Sequence, residues 1–398
     1  MSSLIRYNYK KVSKNSISSI ENLAGALGLS VEEIERAVNL PSESRYTKKF
    51  QPKLDGGERK AYNPHRYIRQ VQRKINERIF SEPSIIEWPD FVFGSIPNTK
   101  KGEEEVHKDY VSCAKRHCEA KSLMRVDVKD FFDNIHRDTV FDIFHNFLSY
   151  PESVSGVLTD ICTYQDFLPQ GALTSGYLAC LCLYDLESTV VKRLERKGLV
   201  YTRYVDDIAV SSKVHDYDFS FAKKVIDKML LSKDLPVNED KTHVFRLSSE
   251  PLVLHGLRIS FKEPRLSAKE VSNIRAAVQS AEKLARVPGY RTTRVYRKYF
   301  NQCMGRVNKL GRVGHNKHSS LVKRLKAIKP LANEDDVRRA KSMISKLEHD
   351  HAKKCHTYSY HKRFHRAHQR INIIRNNFPN VAIILRERLS VVPSSYRH

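Results

Sequence analysis

Three aspartates have the spacing that metal-assisted phosphate chemistry requires. Asp206 and Asp207 are adjacent, between apolar stretches, and Asp127 ends another apolar stretch 79 residues before Asp206. Adjacent carboxylates repel each other unless a cation neutralises them. If the two stretches are neighbouring strands, their carboxylates meet at one point and form the ligand set that Mg²⁺ prefers, beside water and phosphate oxygens. Two such ions could activate a 3′-hydroxyl and stabilise a leaving pyrophosphate.

Apolar patterns define the elements that would position these aspartates. Residues 123–127 are predicted to form a buried strand, and residues 199–212 are predicted to form two strands around the turn that carries Asp206 and Asp207. The other predicted elements are a helix from about Arg137, helices at 176–198 and 217–231, and strands at 242–245 and 252–259. This βαβ-like alternation indicates an α+β or α/β core.

The flanking segments have different patterns. Ser30 and Glu33 are spaced as a capping box that begins a helix, and residues 46–63 are predicted to form a polar hairpin whose turn is Leu54-Asp55-Gly56-Gly57. A helix is predicted after Pro64. Beyond residue 267 only helices are predicted, at 271–285, 292–310, 319–328 and 335–375.

The charge of the chain is concentrated in its last third. The 398 residues have a net charge of +25, but residues 266–398 hold 30 Lys and Arg against 8 Asp and Glu, a net charge of +22. Such a surplus predicts a polyanionic partner, with nucleic acid first, and a helical domain solubilised by its charge is the alternative. No apolar run approaches the roughly 20 residues of a membrane span. The absence of a secretion-signal pattern in residues 1–11 and the seven cysteines favour a reduced, cytoplasmic location without a membrane.

Three segments, in this order, resemble motifs A, B and C of reverse transcriptases. Their sequences are Val-Asp-Val-Lys-Asp-Phe-Phe (126–132), Leu-Pro-Gln-Gly-Ala-Leu-Thr-Ser (168–175) and Tyr-Val-Asp-Asp (204–207). The resemblance continues in the fingers segment of bacterial retron-type enzymes (59–64, with Ile68 and Gln72), in motif D (238–242) and in the primer-grip turn of motif E (254–256). It covers roughly residues 18–330, and this order of motifs is hard to reach by chance.

The resemblance implies a right-hand polymerase fold of the α+β class. The implied domains are an N-terminal helical lead-in (1–45), fingers (46–122), palm with fingers insertions (123–265), thumb (266–332) and a basic, all-α C-terminal extension (333–398). The implied activity is RNA-directed DNA polymerase, which copies a cognate non-coding RNA into DNA in anti-phage defence. Its partners would be the RNA template, the RNA/DNA duplex and dNTPs; an effector protein and a homo-oligomer are left open.

Two other functions compete with this interpretation. An RNA-binding, polymerase-like scaffold would regulate a partner effector without synthesis, and the basic last third motivates it. An intron-encoded maturase ranks below both, because no His-Asn-His-like nuclease segment follows the thumb and the His-rich stretch lacks paired cysteines.

The resemblance also assigns roles to individual residues. The implied ligands of two Mg²⁺ ions, which Mn²⁺ could replace, are Asp127, Asp206, Asp207 and the carbonyl of Val128. Phe132 would be the steric gate against a ribose 2′-hydroxyl. Lys241 would protonate the leaving pyrophosphate, although an ordinary surface lysine is an equal alternative. The residues that would line or bind the incoming nucleotide are Gln170, Gly171, Arg59, Lys48 and Lys49.

Three elements depart from the retron pattern. Where retron enzymes have Asn-Ala-x-x-His, this chain has Cys113 in place of the Asn. Where they have Val-Thr-Gly, this chain has Leu-His-Gly, with His255 at its centre. Where their motif B has Pro-Thr-Ser-Pro, this chain has Leu-Thr-Ser-Gly (173–176). The residues assigned to catalysis match the retron enzymes, whereas the retron motifs associated with RNA recognition differ. This favours the related defence-associated reverse transcriptases, with a true retron enzyme as a close second.

The cations of the last third are candidates for nucleic-acid contact. They are Arg294, Arg297, Lys298 and Arg306 on the predicted helix at 292–310, and Lys362, Arg363 and Arg366 further on. The aromatic residues interleaved with the first group, Tyr296, Tyr299 and Phe300, are expected to pack in the core.

Histidines crowd residues 349–368, and His361 and His365 have a spacing that metal sites use. The stretch has one cysteine, Cys355, and no cysteine pair, so an RNA-facing polar surface is preferred to a zinc site. Tyr396 is close to the C-terminus, where a frayed end is preferred to a role as a protein primer.

Overall fold

The computed structural model describes residues 6–14, 16–52, 58–101 and 104–396. The chain divides into two compact units, Met1–Pro264 and Arg265–His398. The strands of the described residues all lie in the first unit. Within the described ranges, no helix has the length and hydropathy needed to cross a membrane.

Among the described residues, the first unit contains strands and helices, and the second contains helices. The strands are β1 (Lys10–Lys11), β2 (Tyr46–Pro52), β3 (Glu58–Pro64), β4 (Ile86–Glu87), β5 (Val92–Phe93), β6 (Thr99–Lys101), β7 (Glu104–Val106), β8 (Ser122–Asp127), β9 (Val200–Tyr204), β10 (Asp207–Ser212), β11 (His243–Arg246), β12 (Val253–Leu254) and β13 (Leu257–Arg258). The helices of the first unit are α1 (Ile20–Leu27), α2 (Val31–Val38), α3 (Ser42–Arg45), α4 (Arg66–Ile75), α5 (Tyr110–Arg116), α6 (Arg137–Asp142), α7 (Glu152–Cys162), α8 (Ser175–Leu181), α9 (Glu187–Glu195) and α10 (Ser220–Leu231). The helices of the second unit are α11 (Ala268–Ala285), α12 (Arg294–Arg312), α13 (His318–Ala327), α14 (Glu334–Lys354), α15 (Tyr358–Ile374) and α16 (Pro379–Ser390).

A five-stranded sheet, in the order β11-β8-β10-β9-β5, lies at the centre of the first unit. Its pairs are antiparallel except β5 with β9, which is parallel. A two-residue turn joins β9 to β10, and only antiparallel strands can be joined by so short a loop. The predicted alternation is present, because helices separate β8 from β9 and α10 separates β10 from β11, and the α+β class is confirmed.

Apolar side chains on both faces of the sheet are buried, and those of one face, Met124, Val126, Ile208 and Val210, belong to the main core of this unit. Leu123, Met124 and Val126 of β8 are buried, as are residues 208–210 of β10. Helices cover them with large apolar side chains that include Phe80 and Phe144. This packing fixes the strand ends that carry the aspartates.

Two predictions for the N-terminal segments are confirmed. The capping box of α2 has both of its hydrogen bonds: the Glu33 N–H donates to Ser30 Oγ at 3.3 Å, and the Ser30 N–H donates to the Glu33 carboxylate at 3.0 Å. Strands β2 and β3 form the predicted hairpin, with Tyr46 opposite Pro64 and Pro52 opposite Glu58. The predicted turn at 54–57 lies outside the described residues.

Two long predicted helices are each divided in the structure. The helix predicted at 176–198 ends at Leu181 and resumes at Glu187 because the buried Arg203 guanidinium donates to the Ala179 and Cys180 carbonyls, at 3.0 and 2.8 Å. The helix predicted at 335–375 ends at Lys354, and Thr357 begins α15 by accepting the Tyr360 N–H. Helix α16 was not predicted.

The helices of the second unit pack in two groups of three. Helices α11, α12 and α13 pack on one another, and α14, α15 and α16 form a bundle around an apolar core. Tyr296 and Phe300 of α12 are buried, which confirms the expected core packing for these two, whereas Tyr299 is partly buried. The segment after α16 is also held, since the Ser395 N–H donates to the Cys355 carbonyl at 3.0 Å. The preferred expectation of a frayed end is wrong for residues 391–396.

Candidate catalytic site

Asp127 and Asp207 lie side by side at one end of the central sheet. Asp127 is the last residue of β8, Asp207 is the first of β10, and the two are register partners in the antiparallel ladder. Directly opposed residues in such a pair have their Cβ atoms about 4.5–5.5 Å apart on one face of the sheet. Both side chains are partly exposed, at 31% and 19%. The sheet thus presents two carboxylates together at a solvent-accessible edge.

The third aspartate lies in the turn between β9 and β10. Tyr204 pairs with Asp207, so Val205 and Asp206 form a two-residue loop. Val205 has a left-handed φ of +59°, which is costly for a β-branched residue. The buried Arg203 guanidinium holds this turn by donating to the Val205 carbonyl at 3.0 Å, and it pairs with Glu187 at 2.6 Å. A buried ion pair therefore supports the turn that places Asp206 next to Asp207.

The donor set suits a hard divalent cation. The three aspartates offer only oxygen ligands, and their edge is open to water and phosphate, from which Mg²⁺ takes its other ligands. Among the residues that the structure describes, no three His, Cys, Asp or Glu side chains converge closely enough to hold a metal by themselves. The oxygen donors of this edge are therefore suited to an ion that keeps water or phosphate oxygens among its ligands.

Asp127 is held by the segment that follows Pro236. The Asn238 N–H donates to the Asp127 carbonyl at 2.8 Å, and Asn238 Nδ2 donates to Asp127 Oδ2 at 3.1 Å. Val128 pairs with Val237 in an isolated bridge whose two flanking hydrogen bonds do not use the Val128 carbonyl. Lys241 Nζ lies 3.8 Å from Asp127 Oδ2 on a half-exposed side chain. The structure thus brings the predicted Lys241 to the predicted Asp127 and adds Asn238.

Asp207 has a different set of partners. Arg125 Nη2 lies 2.7 Å from Asp207 Oδ2, and His255 Nδ1 lies 3.6 Å from the same oxygen. Burial lowers the pKa of His255, so its ring is neutral near pH 7. Sequence reasoning missed Arg125, although the period of two along a strand places it on the same face as Asp127. His255 was identified only as a departure from a family pattern.

The motif B segment is joined to the hairpin of β2 and β3. The Tyr62 N–H donates to the Gln170 carbonyl at 2.7 Å. Gly171 has a φ of +105°, and a Cβ there would lie 3.0 Å from the Tyr62 carbonyl oxygen. Only glycine permits this approach without displacement. Gln170 and Gly171 are thus fixed against β3.

Two side-chain amides, one in α4 and one on the residue that follows it, also hold motif B. The fully buried Gln72 accepts the Leu173 N–H at 3.1 Å and donates to the Ile161 carbonyl at 2.9 Å. One helical turn later, Asn76 Nδ2 donates to the Leu173 carbonyl at 2.7 Å. Gln72 was noted from sequence only as part of a family pattern, and Asn76 was not noted. Both fix the peptide that follows the predicted nucleotide-contacting residues.

The remaining predicted nucleotide-contacting residues lie on the hairpin of β2 and β3 and after β8. Lys48 and Lys49 are exposed on β2, opposite Tyr62 and Ala61. Arg59 lies in β3 at the register position opposite Gln51, and its side chain is outside the described part of the structure. Phe132 is partly buried after β8, with its ring centroid 5.8 Å from that of Phe131.

The predicted nucleic-acid contacts of α12 fall into two classes. Arg294, Lys298 and Arg306 are exposed. Arg297 is instead turned inward, where it pairs with Asp336 and donates to the Thr292 and Leu331 carbonyls, each at 3.0 Å. Arg297 therefore does not belong to the exposed basic surface of this helix.

The same division applies to α15. Lys362 and Arg366 are exposed, whereas Arg363 pairs with Asp350 at 2.7 Å. The rings of His361 and His365 have centroids 4.3 Å apart, and His361 Nδ1 lies 3.3 Å from Ser394 Oγ. The described residues contain no metal-binding cluster here. Tyr396 packs on the rings of Tyr358 and His361.

Comparison with known proteins gives the following similarities. Residues 51–281 match the family described as reverse transcriptase (RNA-dependent DNA polymerase). The chain is 47% identical over 358 residues to the Retron Ec48 reverse transcriptase of Escherichia coli, and the match covers 89% of this chain and 87% of that protein. It is 28% identical to the Retron Se72 reverse transcriptase of Salmonella heidelberg (strain 579083-10), over 82% of this chain and 84% of that protein.

The similarity to solved structures is more distant. Telomerase from Candida albicans, solved with a fragment of telomeric RNA, aligns with a TM-score of 0.39 and 10% identity, over 88% of this chain and 67% of that one. Telomerase from Candida tropicalis aligns with a TM-score of 0.37 and 12% identity, over 57% of this chain and 56% of that one.

Proposed function

The chain belongs to the reverse transcriptase family, among the retron reverse transcriptases, and we propose that this RNA-directed DNA polymerase copies a cognate non-coding RNA by two-metal nucleotidyl transfer. The observation that carries the proposal is the register pair of Asp127 and Asp207, with Asp206 in the adjoining turn. Arg125 holds the carboxylate of Asp207, and Asn238 holds the carboxylate of Asp127. A protein that only binds RNA has no use for such a site, because clustered carboxylates repel both one another and phosphates.

Asp127, Asp206 and Asp207, with the Val128 carbonyl, would hold two Mg²⁺ ions, and Mn²⁺ could replace them. When bound, the ions would activate the primer 3′-hydroxyl and neutralise the charge of the leaving pyrophosphate. The reaction joins the 3′-oxygen to the α-phosphorus of a dNTP and releases pyrophosphate. Lys241, within reach of Asp127, would donate a proton to that pyrophosphate.

The chain's other residues would position the nucleotide. Gln170 and Gly171 would line the incoming nucleotide and template base, on a segment that Tyr62 and Gln72 hold rigid. Lys48, Lys49 and Arg59 would bind the triphosphate, since the hairpin that carries them is bonded to that segment. Phe132, five residues after Asp127, would exclude a ribose 2′-hydroxyl.

We propose the corresponding division of the chain into functional parts. A lead-in (1–45), fingers (46–122) and palm (123–265) would build the site. A thumb (266–332) and basic extension (333–398) would grip RNA through phosphate contacts, for which the exposed cations are Arg294, Lys298, Arg306, Lys362 and Arg366. The seven cysteines are all free, which supports a reducing compartment such as the cytoplasm. In anti-phage defence, the RNA or its DNA copy would act together with an effector protein.

The test uses the full chain co-expressed with its cognate RNA. Wild-type protein should yield DNA covalently or tightly associated with that RNA, and the double variant Asp206→Ala, Asp207→Ala should yield none while retaining the RNA. Sequencing the co-purified nucleic acid identifies the template. If the double variant made as much DNA as wild type, the proposed site would be wrong.

A scaffold that regulates an effector without synthesis predicts a different pattern. It requires that phage protection survive the double substitution, with RNA binding intact. Loss of both DNA synthesis and protection in a variant that still binds RNA would support the polymerase and exclude the scaffold.

A further inference from the structure

Two of this chain's departures from the retron pattern touch each other in the fold. Cys113 lies in α5 and His255 in the loop between β12 and β13, 142 positions apart in the sequence. Cys113 Sγ is 3.4 Å from His255 Nε2. Cys113 replaces Asn and His255 replaces Thr in elements that the sequence otherwise resembles, so the two departures are neighbours rather than independent changes.

The other side of the His255 ring faces the catalytic edge. His255 Nδ1 lies 3.6 Å from Asp207 Oδ2, and the ring packs on Tyr204, with centroids 4.8 Å apart. The loop presents the ring because His255 and Gly256 have left-handed φ values of +50° and +78°, as a two-residue turn of this type requires. His255 therefore links Cys113 to a carboxylate of the site.

Cys113 is anchored in a buried polar network. Its sulfur lies 3.3 Å from Thr202 Oγ1, which is 2.7 Å from His117 Nε2. His117 Nδ1 in turn lies 2.7 Å from Ser211 Oγ. Cys113, His117 and Thr202 are almost completely buried, so the network can fix the His255 ring without moving.

The order Cys, His, Asp resembles that of a nucleophilic triad, but the surroundings exclude that chemistry. Cys113 has no exposed surface, and burial raises the pKa of its thiol to about 12. A buried, protonated thiol is inert as a nucleophile. The contacts are consistent with a structural role: the thiol donates to Thr202 Oγ1, and its sulfur contacts Nε2 of the His255 ring, whose Nδ1 faces Asp207.

We propose that Cys113 and His255 act together as positioning residues for Asp207, beside the ion pair with Arg125. The inference rests on the proposed function, in which Asp207 is a metal ligand. Partners behind a metal ligand typically change metal affinity or activity by roughly 10- to 100-fold when removed. Since the effect of Cys113 passes through the His255 ring, the two residues must be energetically coupled.

The experiment measures Mn²⁺ binding by electron paramagnetic resonance on the nucleic-acid-free full chain, without nucleotide, so that turnover is not the readout. The variants are Cys113→Ser, Cys113→Ala, His255→Ala and His255→Asn, with Cys113→Ala/His255→Ala completing the cycle. The matched controls are Cys118→Ala, whose thiol donates to the Ala114 carbonyl, and His243→Ala on β11. Thermal unfolding of each variant confirms that it is folded.

We expect His255→Ala to weaken Mn²⁺ binding roughly 10-fold. His255→Asn should retain most of the affinity, because its amide nitrogen can occupy the place of Nδ1 and Asn tolerates the left-handed conformation. Cys113→Ala should weaken binding in the wild-type background and have no further effect with His255→Ala, while Cys113→Ser should be milder. The controls should bind as wild type.

Folded His255→Ala with wild-type affinity, or equal effects of Cys113→Ala in both backgrounds, would overturn the inference. Failure of the proposed function looks different: Asp206→Ala/Asp207→Ala would then bind Mn²⁺ as well as wild type. The two failures are therefore separable within one series of measurements.

Discussion

Asp127 and Asp207 occupy the same register position on neighbouring antiparallel strands, and each is held by partners that the other lacks. Asn238 donates to Asp127, while Arg125 and His255 lie against Asp207. The strand pairing brings the carboxylates together, and the separate partners keep each one oriented while like charges repel. The site is therefore supported from several distant parts of the chain.

The Asp127→Asn substitution should lower DNA synthesis by roughly 100-fold or more, which is the range for loss of one charge-stabilising group at a reacting centre. The change removes a charge but keeps the hydrogen bond from the Asn238 backbone, so folding should be retained. Single-nucleotide extension on a primed RNA template measures the rate. Asp138→Asn, at the exposed start of α6, is the control; equal rates for the two variants would contradict the assignment.

The Gly171→Ala substitution should raise the KM for dNTP and lower the melting temperature. Its methyl group would lie 3.0 Å from the Tyr62 carbonyl oxygen at a φ of +105°, so motif B must separate from β3. Steady-state kinetics and thermal unfolding check both effects. Gly25→Ala is the matched control. Gly25 lies in α1, and beyond its chain neighbours and the helix's own backbone no atom is within 4 Å of the added methyl, so the change should be neutral or stabilising. If Gly171→Ala and Gly25→Ala had the same KM and melting temperature, the contact with Tyr62 would not restrict the residue at position 171.

The Phe132→Ala substitution should let the enzyme incorporate ribonucleotides. The ring is partly exposed after β8, so its removal opens space without disrupting the buried core. The ratio of kcat/KM for dATP to that for ATP, on the same primed template, is the measurement. We expect it to fall by roughly 10-fold or more, since a steric clash with one group is worth about 1–3 kcal/mol. An unchanged ratio would assign the gate to another residue.

Charge reversal of exposed cations in α12 should weaken RNA binding before it slows nucleotide addition. The double variant Arg294→Glu, Lys298→Glu should reduce the slope of log affinity against log salt by roughly one for each phosphate that is no longer neutralised. Filter binding at several salt concentrations gives the slope. With saturating template the extension rate should stay near that of wild type; a slope equal to that of wild type would place the RNA-binding surface elsewhere.

Arg297 provides the matched contrast within the same helix. Its guanidinium pairs with Asp336 and with two carbonyls, so Arg297→Ala should destabilise the second unit by about 3 kcal/mol, the cost of breaking a largely buried ion pair. Thermal unfolding should show this loss, whereas Lys298→Ala should leave the melting temperature nearly unchanged. Similar melting temperatures for the two variants would mean that the internal pair contributes little.

Buried His117 should make the stability of the first unit pH-dependent. Burial lowers the pKa of His117 from 6.5 to about 3. Between those values the unfolded chain binds a proton that the native state does not, so stability falls as pH decreases below about 6.5, by up to roughly 1.4 kcal/mol per pH unit. Above pH 6.5 this contribution is constant.

Thermal unfolding at about pH 7.5 and about pH 5.5, on either side of the ordinary histidine pKa, checks the effect. The wild-type melting temperature should fall more than that of His117→Gln, which keeps hydrogen-bonding groups near Thr202 and Ser211 but does not titrate. His243→Gln, on the exposed β11, is the control and should follow wild type. Equal shifts for wild type and His117→Gln would show that another group causes the pH dependence.

Individual strands and helix caps could be predicted from sequence, because each depends on residues that are close together in the chain. Strands β8, β9 and β10 follow from apolar runs interrupted by a two-residue turn, and Asp127, Asp206 and Asp207 end or join those runs. The capping box of α2 needs only residues three apart. The family motifs are likewise short segments in a fixed order. Sequence therefore placed the three aspartates correctly at the ends and the turn of these strands and predicted most helices.

Tertiary contacts decided which residues support those groups. Arg125 and Asn238 meet the aspartates across separations of 82 and 111 residues, and no local pattern records such a contact. The break between α8 and α9 depends on carbonyls taken by Arg203, more than twenty residues away. Arg297 and Lys298 are adjacent cations in one helix, yet one is paired inside and the other is exposed. Sequence alone specified the residue types, and only folding determined their partners, because partnership depends on long-range packing.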